Sequence, residues 1–171
     1  MQVRYARGAM RVAEFASQPC NVARPIAQLG DGWTLLVLRQ AFMGTRRFDD
    51  FQEALDISRP LLAERLRKLV EAGILRREPY RDTVRTREQY RLTEKGLDLY
   101  PVLMALRQWY DKHEAPDGGP IALYRHRGCG GLTEVVHRCS ECGEELTARE
   151  DSPEPGPGMA AALRGAPASV A

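Results

Sequence analysis

Two short amphipathic segments that follow one another closely constrain this chain more than any other feature. Phe48, Phe51 and Leu55 recur at i, i+3 and i+7, which predicts a short helix. After a tight turn at Asp56-Ile57, helical apolar spacing resumes over residues 58–72. Two helices joined by a turn of about three to four residues form a helix-turn-helix.

The second of these helices carries its own start and stop signals. Ser58 is a favoured N-cap residue, and Pro60 lies in the first turn, where a missing N–H leaves no hydrogen bond unmade. Gly73 provides a left-handed stop after the helix. The apolar stripe is formed by Leu62, Leu66, Leu69 and Val70.

The segment that follows predicts a β-hairpin and then a long helix. Residues 74–78 and 89–92 have strand character, and the polar, arginine-rich residues 79–88 between them form the tip of a wing. Thr93 then caps an amphipathic helix over residues 94–112. The apolar stripe of this helix is wider than a small domain covers, which favours packing against the partner subunit of a homodimer. The alternative is that the chain's own core absorbs the stripe.

Two helices precede this unit. Asn21 is the expected N-cap of a helix over residues 21–30, and residues 33–42 are apolar nearly all round, which predicts a buried central helix. We therefore expect an α+β fold that is mainly α. It consists of a winged helix-turn-helix domain over residues 20–115, which includes a long C-terminal dimerisation helix.

The two ends of the chain are expected to lie outside this domain. Residues 1–19 read as a loose N-terminal arm. After a linker at residues 116–120, residues 121–150 form a small β-rich, Cys-rich extension that resembles a zinc ribbon. Residues 151–171 are rich in Pro, Gly and Ala and are predicted to be a disordered tail.

Positive charge is concentrated where the helix pair and the wing lie. The net charge is only +2, but residues 59–91 contain ten basic and five acidic residues. Such an excess attracts a polyphosphate partner such as double-stranded DNA, although a solvated basic face has the same composition. No apolar run reaches the roughly 18–20 residues of a membrane span, and no apolar leader is present, so the sequence predicts a cytoplasmic protein without membrane contacts.

The exposed face of the second helix has the chemistry of a DNA-reading surface. Arg59 can bind guanine O6 and N7 together, and Ala63 can contact a thymine methyl group. Basic residues farther along the helix suit phosphates, and wing arginines suit a minor groove or the backbone. Arg65 flanks the apolar stripe, so an internal bracing role stays open. The predicted DNA-binding residues are Arg47, Ser58, Arg59, Pro60, Ala63, Arg65, Arg67, Lys68, Arg85 and Arg87.

A series of motifs, taken in order, resembles those of HxlR-type transcriptional regulators. They are Cys20-Asn-Val-Ala-Arg24, Gly32-Trp-Thr-Leu-Leu36, Arg47-Phe48, Ile57-Ser58, Leu62-Ala-Glu-Arg-Leu66, Glu71-Ala-Gly-Ile-Leu-Arg76, Tyr90-Arg-Leu-Thr-Glu-Lys-Gly96 and Trp109. The resemblance implies a bacterial winged-helix regulator that dimerises through its terminal helices and binds inverted-repeat operators. We expect a repressor rather than an activator.

Cys20 occupies the place at which some members of this family sense electrophiles or oxidants, so the resemblance implies a sensing role for it. The chain departs from the family pattern at Asn21, where proline is usual, and at the wing tip, so the operator sequence does not carry over. Physically, Cys20 precedes a helix N-terminus, whose dipole favours a thiolate, and Arg24 adds positive charge. A small buried residue that helps to start the helix is the alternative.

Three cysteines and a histidine in the extension have the spacing of a zinc ribbon. His126-x2-Cys129 is followed by Cys139-x2-Cys142, and two such pairs supply the donors of a tetrahedral structural zinc. A short extension with few large apolar side chains also needs a staple. His137 competes with His126 for one ligand position. A metal-free hairpin or a disulfide is the alternative.

The sequence predicts no enzyme, because it carries no phosphate-binding loop, no nucleophile elbow and no H-E-x-x-H motif. Two other functions stay open beside the regulator with a thiol switch. One is a regulator of the same fold that responds to a small hydrophobic molecule. The other is a winged-helix module that contacts proteins without specific DNA binding.

Overall fold

The computed structural model describes residues 20–81 and 86–159. Within this part the chain divides into two compact units, one with the described residues of 20–93 and 155–159, the other with residues 94–154. The predicted N-terminal arm, the tip of the wing and the end of the tail lie outside the described residues. None of the helices described is both long and apolar enough to cross a bilayer.

The first unit contains four described helices followed by a two-stranded antiparallel sheet. They are α1 (Ala23–Leu29), α2 (Gly32–Phe42), α3 (Phe48–Leu55), α4 (Arg59–Glu71), β1 (Leu75–Arg81) and β2 (Thr86–Leu92). A helix pair followed by a hairpin is the order of a winged helix-turn-helix. The mixed α and β architecture predicted from the sequence is therefore confirmed.

The first two helices begin with different hydrogen bonds. Asp31 starts α2, since its carboxylate accepts the backbone N–H groups of Trp33 and Thr34 at 2.9 and 3.3 Å. Asn21 was the expected cap of α1, but this helix begins at Ala23, and the Cys20 sulfur accepts the Ala23 N–H at 3.5 Å. The expectation for Asn21 is wrong, because the chain turns once more before the helix starts.

The turn between α3 and α4 lies where the sequence predicts it. Asp56 adopts a left-handed conformation with φ 48° directly after α3, and Ile57 is buried. Ser58 has the extended backbone of an N-cap, but its side chain makes no capping hydrogen bond. The position of the cap is therefore right, whereas the expected hydroxyl contact is not made.

α4 ends in a Schellman motif that directs the chain into the wing. Gly73 adopts φ 68°, its N–H donates to Val70, and the Ile74 N–H donates to Leu69, both at 2.9 Å. Leu69 and Ile74 are both buried, which supplies the apolar contact that accompanies this motif. The predicted stop at Gly73 is confirmed.

The core of the first unit lies among α2, α3, α4 and the base of the wing. Burying a side chain of this size stabilises the fold by roughly 1.5–3 kcal/mol, more than an exposed ion pair contributes. The largest fully buried side chains are Val37, Leu38, Phe51, Leu62, Leu66, Leu69, Ile74 and Leu75. The predicted stripe of α4 thus faces the core, except that Val70 is only half-buried.

The two strands of the wing are longer than the sequence predicts. The pairing runs from Leu75 with Leu92 to Arg81 with Thr86 and includes Pro79. The sequence placed residues 79–88 in the loop, and that boundary is wrong for all but the tip. Arg85 belongs to the tip and lies outside the described residues.

Pro79 is compatible with the strand because its nitrogen faces away from β2. The Tyr90 N–H donates to the Arg46 carbonyl at 2.8 Å, so it points away from β1. Hydrogen-bonded and non-hydrogen-bonded pairs alternate in an antiparallel ladder. Since Tyr90 pairs with Arg77 in a position without ladder bonds, Pro79 two residues later is in the same kind of position.

The second unit contains the last two helices and the Cys-rich extension. The sequence predicts one helix over residues 94–112, but the structure has α5 (Glu94–Leu97) and α6 (Tyr100–His113). Pro101 explains the break, because a proline there cannot donate the hydrogen bond that would continue α5. Within this unit the extension is attached to α6 by Gln108, whose amide donates to the Val135 carbonyl at 3.0 Å and accepts the Val135 N–H at 2.8 Å.

Candidate nucleic-acid interface

α4 is divided lengthwise into a buried and an exposed face. Leu62, Leu66 and Leu69 form the buried face. The exposed residues at the start of α4 and along its opposite side are Ser58, Arg59, Pro60, Ala63, Arg67 and Lys68. The structure thus gathers on one side of the helix most of the residues that the sequence assigned to DNA contact.

Arg59 is held at the start of α4 by three groups from α3. One guanidinium nitrogen lies 3.1 Å from the Asp49 carboxylate and 3.0 Å from the Gln52 side-chain oxygen. The guanidinium carbon lies 4.8 Å from the centre of the Phe48 ring, a cation–π distance. These contacts orient Arg59 while leaving it exposed to solvent.

Asp49 also reaches the wing. Its second carboxylate oxygen lies 3.6 Å from a guanidinium nitrogen of Arg87 on β2. A single carboxylate therefore bridges the first residue of α4 and the wing. Arg59, Asp49 and Arg87 form a continuous charged surface, which we call the Asp49 bridge.

The wing is fixed beside α3 by backbone and ring contacts. Tyr90 donates its N–H to the Arg46 carbonyl, and its ring meets Phe51 edge-on with 6.4 Å between centroids. The Arg47 guanidinium stacks 4.8 Å above the ring of Tyr80 on β1. Because these contacts join α3 and the residues before it to both strands, Arg87 has a defined position relative to α4.

The two basic residues farther along α4 are paired with glutamates of the same helix. Arg67 lies 2.6 Å from Glu71, and Lys68 lies 2.8 Å from Glu64, both at i, i+4 spacing. The hydrogen bond from Lys68 and the positive charge of Arg65 hold the pKa of Glu64 below its usual value. Exposed pairs of this kind contribute little stability.

Arg65 differs from the other basic residues of α4. Its side chain is only 13% exposed and lies 2.7 Å from Asp31, the residue that caps α2, and 3.2 Å from Glu64. The pair joins the start of α2 to the middle of α4. The structure thus places Arg65 in a contact between helices rather than on the open side of α4.

Glu78 pairs the two strands near the base of the wing. Its carboxylate lies 2.7 Å from Arg76 and 2.6 Å from Arg91. The hydrogen bond from Arg76 holds the pKa of Glu78 below its usual value despite some desolvation. The acidic partners Asp31, Asp49 and Glu78 were not identified from the sequence, which signals only that acidic residues are interspersed among the basic ones.

The candidate sensor, Cys20, and the candidate metal ligands of the extension lie outside the segment of the sequence that forms this surface. Cys20 is half-buried just before α1, and neither it nor Cys129, Cys139 or Cys142 forms a disulfide. Hydrogen bonds from the backbone N–H groups of Cys142 and Glu141, and from the Cys142 side chain, lower the pKa of the Cys139 thiol. A lowered pKa favours the thiolate, which is the form that binds metals.

Comparison with known families identifies the kind of protein. The model of the HxlR-like helix-turn-helix family matches residues 28–117, which is more than half of the chain. This chain belongs to the HxlR-like helix-turn-helix family. The matched residues include α2, the whole helix-turn-helix, the wing and α6, but not the Cys-rich extension.

Relatives of this HxlR protein include regulators from several bacteria. The uncharacterized HTH-type transcriptional regulator Rv3095 of Mycobacterium tuberculosis is 47% identical over 144 residues, which are 84% of this chain and 90% of the relative. The HTH-type transcriptional regulator YodB of Bacillus subtilis is 34% identical over 89 residues, 52% of this chain and 79% of YodB.

Solved structures agree with the family assignment. PA1607, a candidate transcription factor, superimposes with a TM-score of 0.71 at 35% identity and covers 79% of this chain and 94% of its own. The redox regulator HypR in its reduced form has a TM-score of 0.50 at 28% identity, and the match covers 54% of this chain and 92% of HypR. Reduced YodB has a TM-score of 0.50 at 31% identity, and the match covers 57% of this chain and 97% of YodB.

Membership of the HxlR family makes this protein a transcriptional regulator. An enzymatic function is excluded because the family consists of transcription factors. The helix-turn-helix of such a regulator implies DNA as the partner.

Proposed function

We propose that this HxlR regulator is a homodimeric repressor that reads an inverted-repeat operator with α4 and contacts the neighbouring DNA backbone with its wing. The observation that carries the proposal is the Asp49 bridge, because it places Arg59 of the reading helix and Arg87 of the wing on one surface. A recognition helix enters the major groove with its N-terminal residues against the bases. Arg59 at the start of α4 occupies that position.

The residues of this surface divide into base contacts and phosphate contacts. Arg59, Pro60 and Ala63 are proposed to meet base edges, with arginine on guanine and alanine on a thymine methyl group. The hydroxyl of Ser58 is not used as a cap and is proposed to bind a phosphate. The remaining phosphate contacts are proposed for Arg47, Arg67, Lys68, Arg85 and Arg87.

Arg65 is proposed to act on DNA binding only indirectly. Its guanidinium is held by Asp31 at 2.7 Å and is largely shielded from solvent. We therefore assign to Arg65 the bracing role that its sequence position left open. As a positioning residue, it fixes α4 against the start of α2.

The homodimer is supported by exposed apolar side chains on the last two helices. Trp109 is 58% exposed although it is among the largest apolar side chains of the protein. The exposed apolar residues of α5, α6 and the turn between them are Leu97, Tyr100, Val102, Leu106, Trp109 and Tyr110. A patch of this kind on a helix suits a twofold interface, and twofold symmetry matches an inverted-repeat operator.

Binding to the protein's own upstream DNA tests the proposed function. Fluorescence anisotropy should show tight binding that weakens steeply with salt, and footprinting should show a protected inverted repeat. Arg67→Glu should weaken binding by more than about tenfold, since a phosphate contact becomes a repulsion. Arg39→Glu, the same charge reversal at an exposed position of α2, is the matched control. Equal binding by Arg67→Glu and the parent would mean that the other side of α4 faces DNA.

Cys20 is proposed to be the point at which thiol-reactive stress reaches the regulator. Its sulfur accepts the N–H of Ala23 at 3.5 Å, so a change at sulfur alters the start of α1 directly. The redox regulator HypR, which this chain resembles at 28% identity, supports the proposal. Modification of one thiol then changes the geometry of the dimer and releases the operator.

Operator release by diamide tests the role of Cys20. The parent protein should lose operator affinity on treatment and regain it with a thiol reductant. Cys20→Ser should keep its affinity under the same treatment. Cys142→Ser is the control, because it removes a thiol of the extension and leaves Cys20 in place. If diamide still releases the operator from Cys20→Ser but no longer from Cys142→Ser, the sensing thiol lies in the extension.

A further inference from the structure

Two segments of the Cys-rich extension repeat one backbone arrangement. The first contains His126 and Cys129, and the second contains Cys139 and Cys142, at the same spacing thirteen residues later. An isolated antiparallel bridge closes each segment, Arg125 with Leu132 in the first and Arg138 with Glu145 in the second. The two bridges occupy equivalent positions relative to the candidate ligands.

The hydrogen bonds of the two segments match one by one. His126 and Cys139 each donate their N–H to the carbonyl five residues later, at 2.8 and 2.9 Å. Each also accepts the N–H of a glycine four residues later, Gly130 at 2.8 Å and Gly143 at 3.0 Å. The flanking residues form a third pair of bonds. The Thr133 N–H donates to the Tyr124 carbonyl at 3.0 Å in the first segment, and the Leu146 N–H donates to the His137 carbonyl at 2.8 Å in the second.

The glycines make this turn possible. Gly130 adopts φ 75° and Gly143 adopts φ 76°, a left-handed conformation that disfavours a side chain. In both segments this glycine directly follows the second candidate ligand. The same unusual backbone therefore presents a pair of metal-binding side chains twice, which a chance pairing of thiols does not explain.

Each segment brings its two donor atoms together. The His126 Nδ1 lies 3.2 Å from the Cys129 sulfur. Zn–N and Zn–S bonds of about 2.1 and 2.3 Å at the tetrahedral angle place two such ligands about 3.6 Å apart. Cys139 likewise accepts a hydrogen bond from the side chain of Cys142.

The extension does not possess an apolar core that would hold the two segments together. Ile121, Leu123, Leu132 and Val136 are all exposed. Backbone hydrogen bonds within each segment and the contacts of Arg107 and Gln108 with Tyr124, Thr133 and Val135 are too few to fix a unit of about 30 residues, which ordinarily needs a metal or a disulfide. Cys129, Cys139 and Cys142 form no disulfide.

We propose that His126, Cys129, Cys139 and Cys142 bind one zinc ion, which joins the two segments into a closed structural site. Among the described residues, no three His, Cys, Asp or Glu side chains are grouped closely enough to hold a metal. Each segment supplies one pair of ligands, and in this proposal the ion has to bring the two pairs together. With four protein ligands, no position is left for a substrate, and the site is structural.

The geometry decides between the two histidines. His126 occupies in the first segment the place that Cys139 occupies in the second, next to Cys129. The Nε2 of His137 lies 3.1 Å from the Asp151 carboxylate, outside the repeated turn. His137 is therefore not a ligand in this proposal.

The site lies outside the part of the chain that defines the family. The family match ends at residue 117. The 144-residue match to the Mycobacterium tuberculosis regulator nevertheless reaches into the extension, because a match of that length in a chain of 171 residues extends past residue 117. The proposal does not depend on DNA binding, and either can fail alone.

Metal analysis of the full-length protein, purified without a metal-affinity step, tests the site. Mass spectrometry of the eluted metal should find one zinc per chain. Replacement by Co²⁺ should give the visible bands of a tetrahedral ion and a thiolate-to-cobalt band in the near ultraviolet. Protein without metal, or a cobalt spectrum without the thiolate band, would overturn the proposal.

A pair of histidine variants tests the assignment of ligands. His126→Ala should weaken zinc binding by more than about 100-fold, above what loss of an outer-shell partner costs. His137→Ala should retain the metal and serves as the matched control. The reverse result would overturn the assignment of His126.

Hydrogen exchange provides a readout that does not rely on metal content. Chelation should accelerate exchange at the amides of Gly130 and Gly143 while leaving those of α2 and α4 unchanged. If the two glycine amides stay protected without metal, the segments are stable alone and a structural zinc is excluded.

Discussion

At the scale of single residues, Asp49 occupies the place that a negatively charged partner would take. It binds Arg59 at 3.1 Å and Arg87 at 3.6 Å; Asp49 and Arg59 are exposed, and Arg87 is half-buried. Exposed pairs of this kind are worth about 1 kcal/mol or less, so they do little for stability. In the proposed regulator, DNA has to displace Asp49 from both arginines. We expect a guanine and a correctly placed phosphate to do this together, so that Asp49 disfavours poorly fitting sequences.

Replacing Asp49 by asparagine is expected to raise affinity for random duplex DNA more than affinity for the operator. The reason is that the arginines no longer have to leave a carboxylate. We expect random binding to tighten by about three- to tenfold, roughly the effect of one additional phosphate contact. Anisotropy titrations with both duplexes measure the ratio. Asp50→Asn, an exposed neighbour with the same charge change, is the control, and an equal effect there would reduce the role of Asp49 to net charge.

Asp31 and Arg65 are expected to affect stability rather than DNA contact. Asp31→Ala removes the cap of α2 and leaves Arg65 without its 2.7 Å partner. A lost cap costs about 0.5–2 kcal/mol, and the loss of the Asp31 contact at Arg65, which keeps only Glu64, adds to this, so the free energy of unfolding should fall by about 1–3 kcal/mol. Urea unfolding measures it. Arg67→Ala, which breaks an exposed pair of α4, should change stability by less than about 0.5 kcal/mol.

The same pair of variants distinguishes bracing from DNA contact. If Arg65→Ala lowers the salt dependence of operator binding as Arg67→Ala does, Arg65 contacts a phosphate directly. The bracing role requires that the salt dependence stay unchanged.

At the scale of elements, the end of α4 decides where the wing begins. The left-handed Gly73 closes two hydrogen bonds and turns the chain directly into β1 through Ile74 and Leu75. Phe51, Tyr90 and Arg46 then fix the wing from the side of α3. α4 and the wing are therefore both positioned against α3, where Asp49 contacts both of them.

Gly73→Ala is expected to destabilise the protein by about 1–2 kcal/mol, since φ 68° places a Cβ close to the following carbonyl oxygen. An added Cβ would meet no other atom within 4 Å, so the effect is conformational and not a clash with neighbours. Thermal unfolding checks it. Gly32→Ala, in equally open space at the start of α2, should be nearly neutral. A similar loss in both variants would contradict the assignment of strain to the conformation of Gly73.

At the scale of the whole molecule, the exposed apolar side chains of α6 need a partner in the proposed dimer. Leu106→Glu places a charge in the middle of that patch and should convert the dimer to monomer at micromolar concentration. Sedimentation equilibrium measures the change. Lys112→Glu, a charge reversal on the same helix outside the patch, should leave the dimer intact. A parent protein that is itself monomeric would refute the dimer, whatever the variant does.

Loss of the dimer should also weaken operator binding. An inverted repeat is read by two copies of α4 whose spacing the dimer sets, so a monomer binds half of the site alone. Footprints of Leu106→Glu should be weaker, without a change in the sequence that is preferred.

Local periodicity and special residues were sufficient to predict most elements. The helix pair, the stop at Gly73 and the presence of a hairpin follow from apolar spacing and from glycine and proline chemistry, which act over a few residues. The misplaced boundaries have equally local causes. Pro79 fits a strand only because its nitrogen faces away from β2, and Pro101 divides the predicted last helix into α5 and α6.

A helix-turn-helix with a wing can be predicted from residue order alone, because the alternation of apolar and polar residues along each element sets which positions are buried and which are exposed. Residue order did not determine which charges meet. Up to 38 positions of the chain separate Asp49, Arg59 and Arg87. The partners of other ion pairs, such as Asp31 and Arg65, are also far apart in the sequence. Coulombic and hydrogen-bond contacts act through space over a few ångströms, so only the packing of α3 against α4 and the wing brings such groups together. That packing places the Asp49 carboxylate against two arginines of the proposed DNA-reading surface.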